Sequence, residues 1–189
     1  MRVLLLIAAA LVALPCSADD RVPFDDLQIQ PERVGAGPAG NRWQAGPLLL
    51  SLPTTWKAVD DPRRGTFRGP DGALVFILGS RVTPRARAEG YSVLTDPGRG
   101  PGNFERYIDR SGCVGAIPVP VSLFKSPGRT IMYADCVTAE RGGTLMVAQA
   151  AAYSAQYHLI MELVGTRSAV DDFARALKAH GWSEPHPGN

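Results

Sequence analysis

The stretch Thr130–Trp182 constrains this chain most, because alternating runs and a helical run follow one another almost without a break. From Tyr157 to Val164, Tyr157, Leu159, Met161 and Leu163 fall on one side of an extended chain, and His158, Ile160, Glu162 and Val164 on the other. The preceding run, Thr144–Tyr153, places Met146, Ala148, Ala150 and Ala152 together, a face of small residues that lets a helix approach a sheet closely. Thr130–Glu140 pairs with this run across Arg141, Gly142 and Gly143. A helix follows, with Ser168 as its cap and Asp171 three positions on, Val170, Phe173, Ala174 and Leu177 at helical spacing, His180 in the last turn and Gly181 as the stop. Burial of Phe173, Leu177 and Trp182 stabilises by about 2 kcal/mol each, more than any cap, so the helix holds through packing.

The first 18 residues set the compartment. Arg2 precedes an apolar run of signal-peptide length, and the small residues before Asp19 and Asp20 place cleavage after Ala18. The competing reading lipidates Cys16, although Pro15 fits such a site poorly. Loss of Arg2 takes the formal charge from +2 to +1, and the remaining basic residues are scattered arginines. Nucleic acid is therefore not the expected partner, and no transmembrane anchor is expected after cleavage. Two cysteines are left, Cys113 and Cys136, and in an oxidising compartment the expectation for such a pair is a disulfide.

Residues 19–45, with Pro23, Pro31, Pro38 and several glycines, read as an extended N-terminal arm, and a single domain is expected over 46–183 with a flexible tail over 184–189. Within the domain, Pro47–Leu52 reads as a first strand and Trp56 as an anchor after Pro53. Gly65–Arg68 and Ala73–Arg81 form a hairpin across Gly69, Pro70, Asp71 and Gly72, and Ala73–Leu78 is apolar on both faces, as a central strand is. Pro84–Leu94 fits a short helix, Thr95–Asn103 a surface or binding loop, and Ile117–Lys125 an edge strand with Ile117, Val119, Val121 and Leu123 inward. The order gives an α+β fold: an antiparallel sheet flanked by helices, with the C-terminal helix packed on the sheet.

The run Leu50–Trp56, the hairpin Thr66–Ala73 and the late strand His158–Glu162 leading into Ser168–Phe173 resemble the Mog1/PsbP-like family over residues 46–183. That resemblance implies an antiparallel sheet with helices on both faces and a non-enzymatic role as adaptor, assembly factor or periplasmic lipoprotein. It transfers no site residue.

Candidate chemistry is sparse. His158 and Glu162 share a strand face but lie about 13 Å apart along it, too far to act as a dyad or as two ligands of one metal. His158, His180 and His186 have no metal-binding spacing, so neither metal nor cofactor is expected. Asp60 and Asp61 match turn chemistry. Asp135, on the strand face of Ile131, Tyr133 and Val137, needs a partner, for which Arg175 or Arg81 would serve. Arg81, Arg85 and Arg87 are candidates for an acidic partner. The function expected is an exported, non-enzymatic protein-binding domain of the bacterial cell envelope, of adaptor, assembly or inhibitor type, with another envelope or secreted protein as partner. The alternative is a small periplasmic hydrolase using Asp135 and His158.

Overall fold

The computed structural model describes residues 23–104, 121–137 and 146–183. The signal segment, Cys16, Cys113, His186 and the tail lie outside the described residues, so neither export, lipidation nor the Cys113–Cys136 bridge is addressed by the fold.

The described residues build two antiparallel sheets. The larger runs in the order β5 (Lys57–Val59), β6 (Gly65–Arg68), β7 (Leu74–Val82), β11 (Tyr157–Gly165), β10 (Met146–Ser154), β9 (Arg129–Val137) and β8 (Ser122–Ser126), with β1 (Phe24–Leu27) also on β7. The smaller runs β12 (Gly181–Trp182), β4 (Leu48–Leu52), β3 (Gly40–Ala45) and β2 (Glu32–Gly37). Among the described residues two α-helices accompany them: α1 (Pro84–Ala88) and the twelve-residue α2 (Arg167–Lys178).

Register divides the large sheet into two faces. Val75, Ile77, Leu159, Met161, Leu163, Ala148, Ala150, Ala152, Ile131 and Tyr133 line up on the inner face. This face joins one core with Trp43, Ala45, Leu48, Leu50 and Leu52 of the small sheet and Val170, Phe173 and Leu177 of α2. The alanine stripe does what its sequence implies: Ala148, Ala150 and Ala152 are fully buried, and Phe173 reaches Tyr133 edge-on at 6.5 Å between ring centroids. β7 is an interior strand as expected, and the Gly69–Gly72 turn closes its hairpin with Asp71 and Gly72 in the left-handed region.

Four expectations need correction. Residues 19–45 do not form a bare arm: from Phe24 on they supply β1, β2 and β3, so Leu48–Leu52 is the fourth strand. Arg42 and Gln44 alternate with buried Asn41, Trp43 and Ala45, and that period-two pattern makes β3 a strand despite the glycines around it. The cap of α2 is Thr166, whose Oγ1 accepts from the Ala169 N–H at 3.4 Å, while Ser168 lies inside the helix. Gly181 does not stop α2 but opens β12, where it pairs with Leu49. In β8, an edge strand as expected, Phe124 packs on the core and Leu123 points outward at 51 % exposure, because Phe124 pairs with Ile131 of the inner face.

The cap assignment is directly measurable. Thr166→Ala should cost about 1 kcal/mol of unfolding free energy in urea, whereas Ser168→Ala should leave it within about 0.5 kcal/mol. Equal losses would return the cap to Ser168.

Candidate functional site

The outer face of the large sheet carries the features of interest, and strand register places them in rows. One row crosses Asp26, Ser80, His158, Tyr153, Thr130 and Lys125. The next crosses Leu78, Ile160, Ala151, Met132 and Leu123, and the one beyond it Thr66, Phe76, Glu162, Gln149 and Ala134.

One end of this face is covered. Phe24, Val82, Ala86, Val93, Phe104, Met132, Ala134, Ala151 and Tyr153 form a second apolar core under the segment from α1 to Phe104. Thr95–Asn103, expected as a loop, is a pair of tight turns: Val93 N–H donates to Ala155 O at 3.0 Å, Asp96 Oδ1 accepts from Gly98 and Arg99 N–H, and Gly100 N–H donates to Asp96 O at 2.8 Å. A Cβ on Gly100 would stand 2.5 Å from that same oxygen, so the turn requires glycine there. The Arg99 guanidinium lies 4.2 Å from the centre of the Phe24 ring, which Tyr91 meets edge-on at 5.6 Å.

His158, partly exposed, stands on the same row as buried Tyr153. Its ring stacks on Tyr153 at 5.1 Å and 10°. Burial holds its pKa down, to about 4, with the Arg99 charge pushing the same way and Asp96 opposing, so the imidazole is neutral at physiological pH.

The other end is open. Leu78 is 53 % exposed, and Leu74, Phe76, Ile160 and Val164 beside it are only partly covered. Arg64 lays its guanidinium 3.7 Å from the Phe76 ring centre, and exposed Arg68 pairs with Leu74 at the margin. Fully buried Gln149 reaches Glu162 Oε2 at 3.4 Å in the middle of this face. The apolarity of Ala73–Leu78 was visible in the sequence, but it reads as burial on both sides; the face partners that expose this half become visible only once the register of β7 on β11 is known.

Asp135 and His158 do not meet. Asp135 pairs with Ala148 on the inner face, so the sheet itself lies between the two groups. The carboxylate pairs with Arg167, Nη1 to Oδ2 at 2.9 Å, rather than with Arg175 or Arg81. Tyr133 beside it stays a phenol, its pKa pushed up by burial and by the Asp135 and Asp171 carboxylates. The arginines are likewise dispersed: Arg81 pairs with Asp25 at 3.7 Å, Arg85 with Glu89 at 3.3 Å, and Arg87 Nη1 donates to Gln156 Oε1 at 2.9 Å. Arg175 bonds Asp172, which also accepts from Trp56 Nε1 at 3.3 Å. Asp61 accepts from Arg63 N–H, Arg64 Nε and Thr66 Oγ1, the turn chemistry expected, and the first of these contacts leads the lowering of its pKa.

A separate groove of about 230 Å³ opens on the small sheet, lined among others by Arg42, Ser51 and His180. His180 Nδ1 is 2.8 Å from Leu177 O, and burial lowers its pKa although that carbonyl opposes the shift. Among the described residues, no group of three or more histidine, cysteine or acidic side chains is placed to hold a metal ion. No helix among them is long and apolar enough to cross a membrane.

Fold and faces together define an antiparallel, sheet-rich α+β domain with one face half covered. No family model matches the chain, and no curated protein matches it. Solved structures similar to it include a protein from Bacteroides thetaiotaomicron, at 10 % identity and a TM-score of 0.45 over 84 % of this chain and 50 % of that one, and LpqN, involved in cell envelope biogenesis of Mycobacterium tuberculosis, at 14 % identity and a TM-score of 0.43 over 82 % and 86 %. The chain spans half the length of the Bacteroides protein.

Proposed function

We propose that this chain is an exported, non-enzymatic binding domain of the cell envelope that docks a protein partner on the open half of its outer sheet face. The observation that carries this reading is Leu78, 53 % exposed on an interior strand and continuous with Ile160, Phe76, Leu74 and Val164. A large aliphatic side chain held out to solvent between partly covered apolar neighbours has no structural use in the monomer, and such patches mark contact surfaces. Exposed Arg68 borders the patch beside Leu74, so the fitting occupant is an apolar segment with a carboxylate at that margin. The reading includes cleavage after Ala18, the Cys113–Cys136 bridge and assignment of the sheet to the Mog1/PsbP-like type, on the strength of the Leu50–Trp56 run, the Thr66–Ala73 hairpin and the strand-to-helix passage at 158–173. A hydrolase built on Asp135 and His158 is disfavoured, because the two side chains belong to opposite faces.

The test is site-specific photo-crosslinking in the native envelope, with the probe at Leu78 and, as control, at exposed Val34 on β2. A discrete product at 78 that is absent at 34 is expected, and the captured protein, once purified, should bind Leu78→Glu and Arg68→Glu at least about tenfold more weakly than wild type. Equal labelling at both positions, or unchanged affinity of both variants, rejects the docking face.

A further inference from the structure

We infer that the groove on the outer face of the small sheet is a binding site for one phosphate group of a small ligand, held by Arg42 and Ser51 with His180 as the third contact. Register defines the face. Arg42 of β3 stands opposite Ser51 of β4 and Gly35 of β2, and Leu49 of β4 opposite Gly181 of β12, so these residues face away from the core that Trp43, Leu48 and Leu50 fill. Ala179 and His180, at the end of α2, close one side. The space between is about 230 Å³, the liquid volume of about seven waters, which suits a phosphate with a few further atoms and falls short of a drug-sized molecule.

Glycines keep the groove open. A Cβ on Gly37 would stand 2.3 Å from Ser51 Oγ, and one on Gly181 would stand 3.3 Å from Arg42 Nη2, so the guanidinium lies where a side chain at 181 would otherwise be. Neither glycine has a positive φ, so space and not backbone conformation calls for them.

The polar groups that line the groove are of one kind. Arg42 is exposed, and among the described residues no carboxylate pairs with it and no acidic side chain lines the groove. Ser51 is only 4 % exposed; its Oγ accepts from the Ala39 N–H at 3.2 Å, which leaves its own proton to donate. His180 Nδ1 lies 2.8 Å from Leu177 O, an atom that only accepts, so Nδ1 carries a proton and Nε2 is the remaining polar atom of the ring. The negative end of α2 is spent on its own cap: Arg175 O accepts from the Ala179 N–H at 3.0 Å and Leu177 O from the His180 N–H at 3.3 Å. Arg129 is the other cation whose field reaches the imidazole, and it too favours an anion there.

This donor set selects among oxyanions. A guanidinium and a hydroxyl serve two oxygens, and Nε2 shares one proton with a third, whether that proton sits on the phosphate or on the imidazole. An ionised carboxylate has two oxygens and no proton to share, so phosphate is the better match.

Amide chemical shifts of the purified protein, titrated at constant ionic strength with inorganic phosphate, glycerol 3-phosphate and acetate, test this, together with sedimentation on phosphatidylcholine vesicles with and without phosphatidic acid. The amides of Gly37, Ser51 and Gly181 should shift saturably with phosphate at a Kd of about 1–10 mM, at least about threefold tighter than with acetate. Arg42→Gln should weaken phosphate binding at least about tenfold, and Arg33→Gln, which removes the same charge from β2, by under about twofold. Gly37→Ala should abolish binding by filling the floor. If that variant does not fold, Gly181→Ala takes its place, with a several-fold loss as its methyl displaces the guanidinium. Tighter binding of glycerol 3-phosphate in solution assigns the site to a soluble ester, and sedimentation with phosphatidic acid that needs Arg42 assigns it to a lipid headgroup. No saturable shift with phosphate, acetate bound as tightly as phosphate, or equal losses in Arg42→Gln and Arg33→Gln overturns the site.

Discussion

Trp56→Ala should remove about 3–5 kcal/mol of stability, a large share of what a domain of this size has, and show as a fall in the urea midpoint at unchanged slope. The size of the effect follows from where the indole sits. It is fully buried after the turn at Pro53, where the Trp56 backbone N–H donates to Pro53 O at 3.0 Å, and its ring lies against the β6–β7 turn so closely that a Cβ on Gly69 would stand 2.8 Å from three ring carbons. From the same place its Nε1 donates to Asp172 of α2 at 3.3 Å. One side chain therefore fixes the exit of β4, the hairpin and the helix, and its truncation leaves a cavity whose walls belong to three elements that cannot all close on it. Gly69→Ala should cost about 1–3 kcal/mol by forcing the ring away, and Asp172→Asn, which preserves an acceptor, under about 1 kcal/mol. A loss below about 1 kcal/mol for Trp56→Ala would mean the junction is held by something else.

Much of this junction was legible because it is written in local chemistry: a strand, a proline, a tryptophan, a glycine turn. The alternation of β10 and β11 and the helical spacing of α2 were legible for the same reason, since each is a period along one segment. What stayed hidden depends on register between segments. Asp135 and His158 each have a clear place on their own strand, but whether the two faces coincide depends on the β9–β10 and β10–β11 pairings, and no spacing within either strand carries that. Leu123 shows the converse. With a two-residue turn at Pro127–Gly128, Ser126 pairs with Arg129 and Phe124 with Ile131, so the inward residue follows once that turn is carried along the strand. Strand β3 was missed through its surroundings: Asn41, Trp43 and Ala45 alternate plainly, but prolines and glycines nearby drew the whole region toward an arm.

Acid should weaken this fold through His158 more than through its surface ion pairs, and the difference between wild type and His158→Gln isolates that one proton. The folded pKa, about 4, lies below the unfolded value of 6.5, so between these limits the unfolded chain holds the extra proton. Stability contributed by the neutral imidazole is therefore fully present above pH 6.5 and is lost as the pH falls toward 4, at up to about 1.4 kcal/mol per pH unit. The wild-type deficit relative to His158→Gln reaches about 3 kcal/mol near pH 4. The expected curve, from urea midpoints at half-unit steps between pH 7.5 and 4, is a deficit that starts to grow below pH 6.5 and reaches about 3 kcal/mol near pH 4. No pH-dependent difference between the two proteins would mean that His158 is solvated in the folded chain.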